Sequence, residues 1–325
     1  MDFNLDETQK DLRDLAAEVL AKEATQERLE AHERGGAPYD EKLWQVLDQA
    51  GLLSLCLPER AGGAGLGPVE LAVVLREVGA RAAPGPMLAR LVSTLAVARY
   101  GTAEQQDLVA SATVSTVATG AETMAQRWQG VPYAEQAEVI LLAADDGLYL
   151  ARGPVAAITE FTSTGEPAAT ITAEGERIAG AQAAAETRSL YTAAIAAQAS
   201  GVLAGALKLT TDYIRTRKQF DRALAEFQAV TMQIADVYIA GRALDVAMWS
   251  GAWRLAEGLP AEEDLGIAAF HVSEAFKALY TCQHLHGGLG LDVTYPLHRY
   301  FAHAKHLTHL LGGADAQLDR IGALA

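Results

Sequence analysis

Apolar residues recur at helical spacing through the first hundred positions. From Asp6 onward, Leu12, Leu15, Ala16 and Val19 lie at i, i+3, i+4 and i+7. This predicts an amphipathic helix with Asp6 as its N-cap and Gln9 three residues on. Leu43, Trp44 and Leu47 predict a second helix over Asp40 to Ala50. The glycines between Gly51 and Gly67 then break the pattern, and Pro68 opens a helix carrying Leu71, Val74, Leu75 and Val78. Pro84-Gly85-Pro86 separates it from further helix over Leu88 to Tyr100.

The texture changes near Ser111. Small and β-branched residues alternate over Thr113 to Thr119, and Val139 to Leu142, Leu148 to Leu150 and Ala169 to Thr172 are short strand-like runs. The pattern turns helical again from Thr187. A nearly continuous alanine-rich helix is expected over Ala193 to Arg217, followed by a near-heptad seam of Val230, Ile234, Val237, Leu244 and Met248 ended by Gly258 and Pro260. Ala261 to His284 and Leu297 to about Leu311 supply two more helices, and long antiparallel helices of this kind make a four-helix bundle. The organisation expected is a helical segment over 1–110, a small β-rich segment over 111–182, and the bundle over 183–325. The class is mainly α, an α+β fold.

Composition narrows the function. Half of the 325 residues are hydrophobic and 21% are charged, as in a globular protein. A net charge of −15 repels phosphate, which argues against a nucleic-acid partner while permitting a local basic pocket. Cys56 and Cys282 stand in apolar contexts without partner spacing, and the N-terminus lacks the features of a signal peptide, so a cytoplasmic protein is expected. The longest apolar stretch, Ala193 to Leu209, is interrupted by Gln198, Ser200 and Lys208, which suits a buried helix better than a membrane span.

The segment Tyr213 to Gln228 carries the most chemistry. It places Arg217, Phe220, Phe227 and Gln228 between two long helices: a guanidinium for a pyrophosphate, aromatic faces and an amide. It resembles the C-terminal signature of the acyl-CoA dehydrogenases. Leu57-Pro58-Glu59-Arg60 with Gly62-Gly63-Ala64-Gly65 and the Glu70 to Glu77 helix resembles that family's N-terminal segment. The run His284-Leu-His-Gly287-Gly288-Leu-Gly290 through Tyr295-Pro296 resembles its glycine-rich turn, where backbone amides approach the flavin phosphates. The resemblance implies the acyl-CoA dehydrogenase fold, with FAD at a subunit interface and Arg217, Phe220, Phe227, Gln228, His284, Gly287 and Gly288 reaching a flavin held by a neighbouring subunit.

The departures are as informative. Family members remove a proton α to a thioester with a glutamate, in one of two positions. Counting along the chain, these fall at Leu311 and Tyr191, and neither side chain can act as that base near neutral pH. The flavin-binding stretch of the β segment is replaced by Val117 to Met124, and at least one strand pair is expected to be missing. The resemblance therefore points to the small, base-less subunit of the actinobacterial heteromeric acyl-CoA dehydrogenases that shorten steroid side chains. The larger catalytic subunit would complete an α2β2 assembly and hold most of the acyl-CoA, with the seam of the long helices as the oligomer interface. Two alternatives remain open on the residues: a homo-oligomeric flavoenzyme using Glu186 or Asp315 as base, and a scaffold of the same fold that binds no flavin. Arg127, Lys208 and Lys218 are basic residues available to a CoA phosphate. His303, His306 and His309 repeat at i+3 without an acid or thiol at ligand spacing, so bundle packing is expected rather than a metal site.

Overall fold

A computed structural model of the chain describes residues 3–119, 121–122 and 126–324. Six helices come first: α1 Glu7–Glu23, α2 Gln26–Gly35, α3 Glu41–Gln49, α4 Pro68–Ala80, α5 Met87–Tyr100 and α6 Ala103–Ser111. Helix α1 begins with a reciprocal cap. The Gln9 N–H donates to the Asp6 carboxylate at 2.8 Å, and the Asp6 N–H donates to Gln9 Oε1 at 3.1 Å. Its buried line is Ala16 and Leu20, whereas Leu15, expected inside, is exposed.

Eight strands follow: β1 Ser115–Ala118, β2 Ala121–Glu122, β3 Arg127–Pro132, β4 Val139–Ala143, β5 Gly147–Arg152, β6 Ala156–Glu160, β7 Ala168–Thr172 and β8 Glu176–Gly180. They form two four-stranded sheets, ordered β1-β4-β5-β8 and β2-β3-β7-β6. Strand β4 pairs parallel with β1 and antiparallel with β5. It is buried along its whole length because it lies between two cores. Val139, Leu141 and Ala143 join the helical core, while Ile140 and Leu142 face the second sheet with Trp128, Tyr133 and Ile171. The two-residue period of a strand thus appears as an unbroken apolar run. Of the Val117–Met124 stretch, Gly120, Thr123 and Met124 lie outside the described residues.

The rest is helical: α7 Ala181–Thr216, a short hairpin of β9 Lys218–Gln219 and β10 Arg222–Ala223, α8 Gln228–Ala256, α9 Glu262–His286, α10 Leu297–Leu310 and α11 Gly313–Leu324. Helix α7 starts twelve residues before the expected Ala193, and α11 adds to the expected four. Helices α4 and α7 meet backbone to backbone. A Cβ on Gly79 would sit 2.0 Å from the Gln198 carbonyl oxygen, and one on Gly201 would sit 1.9 Å from that of Arg76. Helix α7 is apolar and long enough to span a bilayer, yet 78% of its apolar window is buried within the chain.

The near-heptad seam needs correction. Val237, Leu244 and Met248 are fully buried in the chain's own core, so they cannot form an oligomer interface. The outward face of α8 carries a different stripe, Met232, Ile239 and Val246, exposed at 62%, 62% and 49%. These three are also spaced by seven, which is why periodicity alone did not separate the two faces.

Candidate functional site

Two of the sequence motifs come together at one end of the bundle. Helix α7 ends where the Arg217 N–H donates to the Tyr213 carbonyl at 2.8 Å. The chain then turns through Phe220 and Asp221, whose φ angles are +52° and +60°. A two-residue hairpin of type I′ needs positive φ at both positions, which glycine or asparagine normally provides. Here a phenylalanine takes the strained position, and its ring is 87% exposed. The Leu224 N–H donates to the Arg217 carbonyl at 2.8 Å, closing the base of the hairpin. The Arg222 guanidinium lies 5.1 Å from the centre of the Phe227 ring, and Arg222 also pairs with Glu226. Phe227 is therefore covered from within the chain. Arg217 is exposed and in no ion pair among the described residues, and Gln228 opens α8 with its side chain exposed.

The second motif ends α9. Gly287 has φ +60° and ψ −137°, a combination open only to glycine, and its N–H donates to the His284 carbonyl. Nothing lies within 4 Å of where a Cβ would stand on Gly287 or Gly288, so this face of the turn is open. His284 is exposed beside it. The residue that organises the turn is His286, which sequence reasoning passed over. It is buried, stacks on Tyr213 with ring centres 4.4 Å apart and planes at 20°, and contacts the Tyr295 ring at 5.2 Å. Its Nδ1 lies 2.8 Å from the Cys282 carbonyl and its Nε2 3.2 Å from the Tyr295 hydroxyl.

The two positions expected from the sequence count to carry a base lie elsewhere. Tyr191 is buried, which pushes its phenol far above the ordinary range. It lines a cavity of about 40 Å³ with Leu88, Leu307 and Leu310. Leu311, also buried, caps α10 immediately after Leu310. Neither nearby acid faces this cavity. Glu186 accepts hydrogen bonds from Tyr100 and Gln182, which lower its pKa, and Asp315 is exposed in the first turn of α11.

The acid that does line the cavity is Glu166, from the loop between β6 and β7. It accepts from the Tyr133 hydroxyl at 2.6 Å and from the Gly85 N–H at 2.9 Å, with His303 Nδ1 3.9 Å away. Glu166 and His303 also line a larger cleft of about 520 Å³, whose wall includes the Arg299–Glu33 pair. His306 faces Glu166 too, while His309 is exposed. Among the described residues no group of three or more His, Cys, Asp or Glu side chains is placed to hold a metal ion. Of the basic residues considered for CoA, Lys208 is held by Asp212 at 2.6 Å, while Arg127 on β3 and Lys218 on β9 are exposed on separate elements.

Comparison with known proteins places this geometry. The N-terminal domain of acyl-CoA dehydrogenases matches residues 6–116 and the C-terminal domain residues 179–324. Acyl-CoA dehydrogenase FadE28 of Mycobacterium tuberculosis is 39% identical over 316 residues, covering 86% of this chain and 91% of that protein. Among solved structures, a variant of the Tcur3481-Tcur3483 steroid ACAD superposes with a TM-score of 0.90 at 36% identity, over 98% of this chain and 97% of that one. The ChsE4-ChsE5 complex from Mycobacterium tuberculosis does so with a TM-score of 0.91 at 31% identity, over 99% and 98%. With both terminal domains matched and the α–β–α order in place, the chain belongs to the acyl-CoA dehydrogenase family of oxidoreductases.

Proposed function

We propose that this chain is a flavin-sharing, base-less subunit of a heteromeric acyl-CoA dehydrogenase, with the catalytic glutamate on a larger partner subunit. The observation that carries this reading is a contrast within one chain. The exposed Arg217–Phe220 hairpin and the open Gly287–Gly288 turn offer donors outward from the bundle, whereas the two positions expected to carry the base hold Tyr191 and Leu311, both buried. A cavity of about 40 Å³ is far below the roughly 300–1,000 Å³ of ordinary ligand pockets. Glu166 does not stand in for the lost base in this reading, because its carboxylate is already engaged by the Tyr133 hydroxyl and the Gly85 N–H.

The residues present fit the tail of FAD. A guanidinium without an internal anion suits a pyrophosphate, the exposed Phe220 ring suits an aromatic face, and the bare backbone beside Gly288 admits close approach. Arg217, Phe220, Gln228, His284, Gly287 and Gly288 would hold FAD, with Phe227 supporting the base of the hairpin beneath Arg222. When bound, FAD supplies the hydride acceptor for α,β-dehydrogenation. This chain would bind and orient its adenylate end, while the partner supplies the flavin-ring contacts, the proton-abstracting carboxylate and most of the thioester site.

The Tcur3481-Tcur3483 protein is described as a steroid ACAD, and ChsE4-ChsE5 is a complex of two differently named chains. These similarities support a steroid CoA ester as substrate and an unlike partner subunit; the side-chain ester, the α2β2 stoichiometry and the cytoplasmic location are proposed from the resemblance in sequence. The stripe of Met232, Ile239 and Val246 would meet the partner's helices. The test is purification alone and after co-expression with a larger acyl-CoA dehydrogenase subunit. The expected result is a colourless, inactive chain alone and an active yellow assembly with one flavin per unlike pair. Stoichiometric flavin and acyl-CoA oxidation by the chain alone would refute the reading.

A further inference from the structure

Tyr213 stands one helical turn before Arg217, and His286 stands directly before Gly287. The two motifs that would grip the dinucleotide come from different helices, α7 and α9, and their relative spacing is set where those helices touch. At the end of the two helices that carries both motifs, the contact is an aromatic cluster. His286 stacks on Tyr213 at 4.4 Å, nearly parallel, and leans against Tyr295 at 5.2 Å. Its hydrogen bonds fix the ring plane and the tautomer. A carbonyl can only accept, so Nδ1 carries the proton donated to Cys282 at 2.8 Å. In the neutral ring Nε2 is then the acceptor, and the Tyr295 hydroxyl donates to it at 3.2 Å. Tyr295 belongs to the loop that begins with Gly287 and leads to α10, so one imidazole ties both ends of the glycine turn to the end of α7.

We propose that His286 is a positioning residue: its stack on Tyr213 and its hydrogen bond with Tyr295 set the distance between the Arg217 guanidinium and the open backbone of Gly287 and Gly288, so that both engage one dinucleotide pyrophosphate. The inference rests on the flavin-sharing reading. Ordinary core packing would be satisfied by any ring of similar volume, whereas positioning requires both the stack and the two hydrogen bonds. A geometric error at such a site costs affinity for the group being gripped before it costs stability.

The experiment uses the assembled protein with its larger partner, stripped of flavin and titrated with FAD and, separately, with FMN, which lacks the adenylate. Variants are His286→Ala, His286→Phe, Tyr295→Phe and Arg217→Ala, each with its melting temperature. The expected result is that His286→Ala weakens FAD binding about tenfold, while His286→Phe and Tyr295→Phe weaken it about two- to fivefold. FMN binding is unchanged throughout. Tyr295→Phe removes one hydroxyl at a half-buried position, so it reports even where His286→Ala fails to fold. Equal losses for FAD and FMN would overturn the proposal by making His286 merely structural. FAD binding within twofold of wild type in all three His286 and Tyr295 variants, with a large loss in Arg217→Ala, would overturn it while leaving the shared flavin standing. An unchanged Arg217→Ala would remove the shared flavin itself.

Discussion

The Tyr133 hydroxyl donates to the Glu166 carboxylate at 2.6 Å, and both groups are withdrawn from solvent. This contact joins the end of β3 to the β6–β7 loop. The Gly85 N–H adds the turn before α5, and His303 adds α10. One carboxylate thus draws the helical segment, the sheets and the bundle together over the small cavity beside Tyr191. Glu166→Leu would leave a buried hydroxyl and a backbone N–H unpaired, each costing about 1–3 kcal/mol. Tyr133→Phe leaves only one acceptor position of Glu166 unfilled and costs less. Denaturant unfolding should rank the two in that order; a Glu166→Leu protein as stable as wild type would show that the contact carries no stability.

The same cluster sets an acid limit. Burial pushes the Glu166 carboxyl up, but His303, the Tyr133 hydroxyl and the Gly85 N–H together bring it below its ordinary 4.5. Burial holds His303 below its ordinary 6.5, more than Glu166 and Glu33 lift it. For a histidine depressed in the folded state, the unfolded chain takes up the proton first. Stability is therefore complete above pH 6.5 and is lost as pH falls from there towards the folded value. His306, likewise held down by burial, acts in the same direction. The depressed Glu166 contributes above pH 4.5, and that contribution is lost as pH falls through its folded value. Unfolding curves across this range should show a decline beginning near 6.5. His303→Asn should flatten its upper part and Glu166→Gln its lower part.

The hairpin tip predicts a conflict between stability and binding. Phe220 holds φ +52° with its ring in solvent, so the isolated chain gains nothing from it. Phe220→Gly should raise the stability of the isolated chain by about 0.5–1 kcal/mol by releasing the left-handed strain, net of glycine's greater chain entropy. In the assembly the same change should lower flavin content by removing the aromatic face. Thermal melts of the chain alone, set against the flavin-to-protein ratio of the complex, separate the two effects. A variant that neither gains stability alone nor loses flavin in the complex would show that the strained turn serves neither end.

Legibility in the sequence followed the range of the interactions. Helices with an apolar stripe and a local cap, such as α1 with Asp6 and Gln9, were evident because everything that defines them lies within a few turns. Helix α2 buries only Leu29 and so shows no stripe. Helix α11 was hidden behind Gly312 and Gly313, whose φ angles of +79° and +82° do break α10 but do not prevent a new start. Strands β3, β6 and β8 have broken burial patterns and offered no clean alternation. The site motifs were legible as residues but not as an arrangement. His284 and His286 differ by two positions, about 200° around a helix, so one is exposed and the other buried. Glu166 meets Tyr133 and His303 across separations that no local pattern records.

Placing a glutamate at the expected base position should not produce the reaction. Leu311→Glu puts a carboxylate at the position the sequence count assigns to the base, but that position is buried at the end of α10, next to a cavity of about 40 Å³ whose wall includes Leu307, Leu310, Tyr191 and Glu166. An unpaired carboxyl there would be held neutral by desolvation and would destabilise the fold by at least about 1–3 kcal/mol. The cavity beside it is far smaller than the pockets that hold ligands of thioester size. The expected outcome is a less stable protein with no acyl-CoA oxidation by the isolated chain, followed with an artificial electron acceptor. Measurable turnover from Leu311→Glu alone would mean that substrate reaches this position and that a missing carboxylate was all that kept the chain from acting unaided. The absence of turnover, with the assembly still active through its partner, would trace the inactivity to the small cavity as well as to the missing carboxylate.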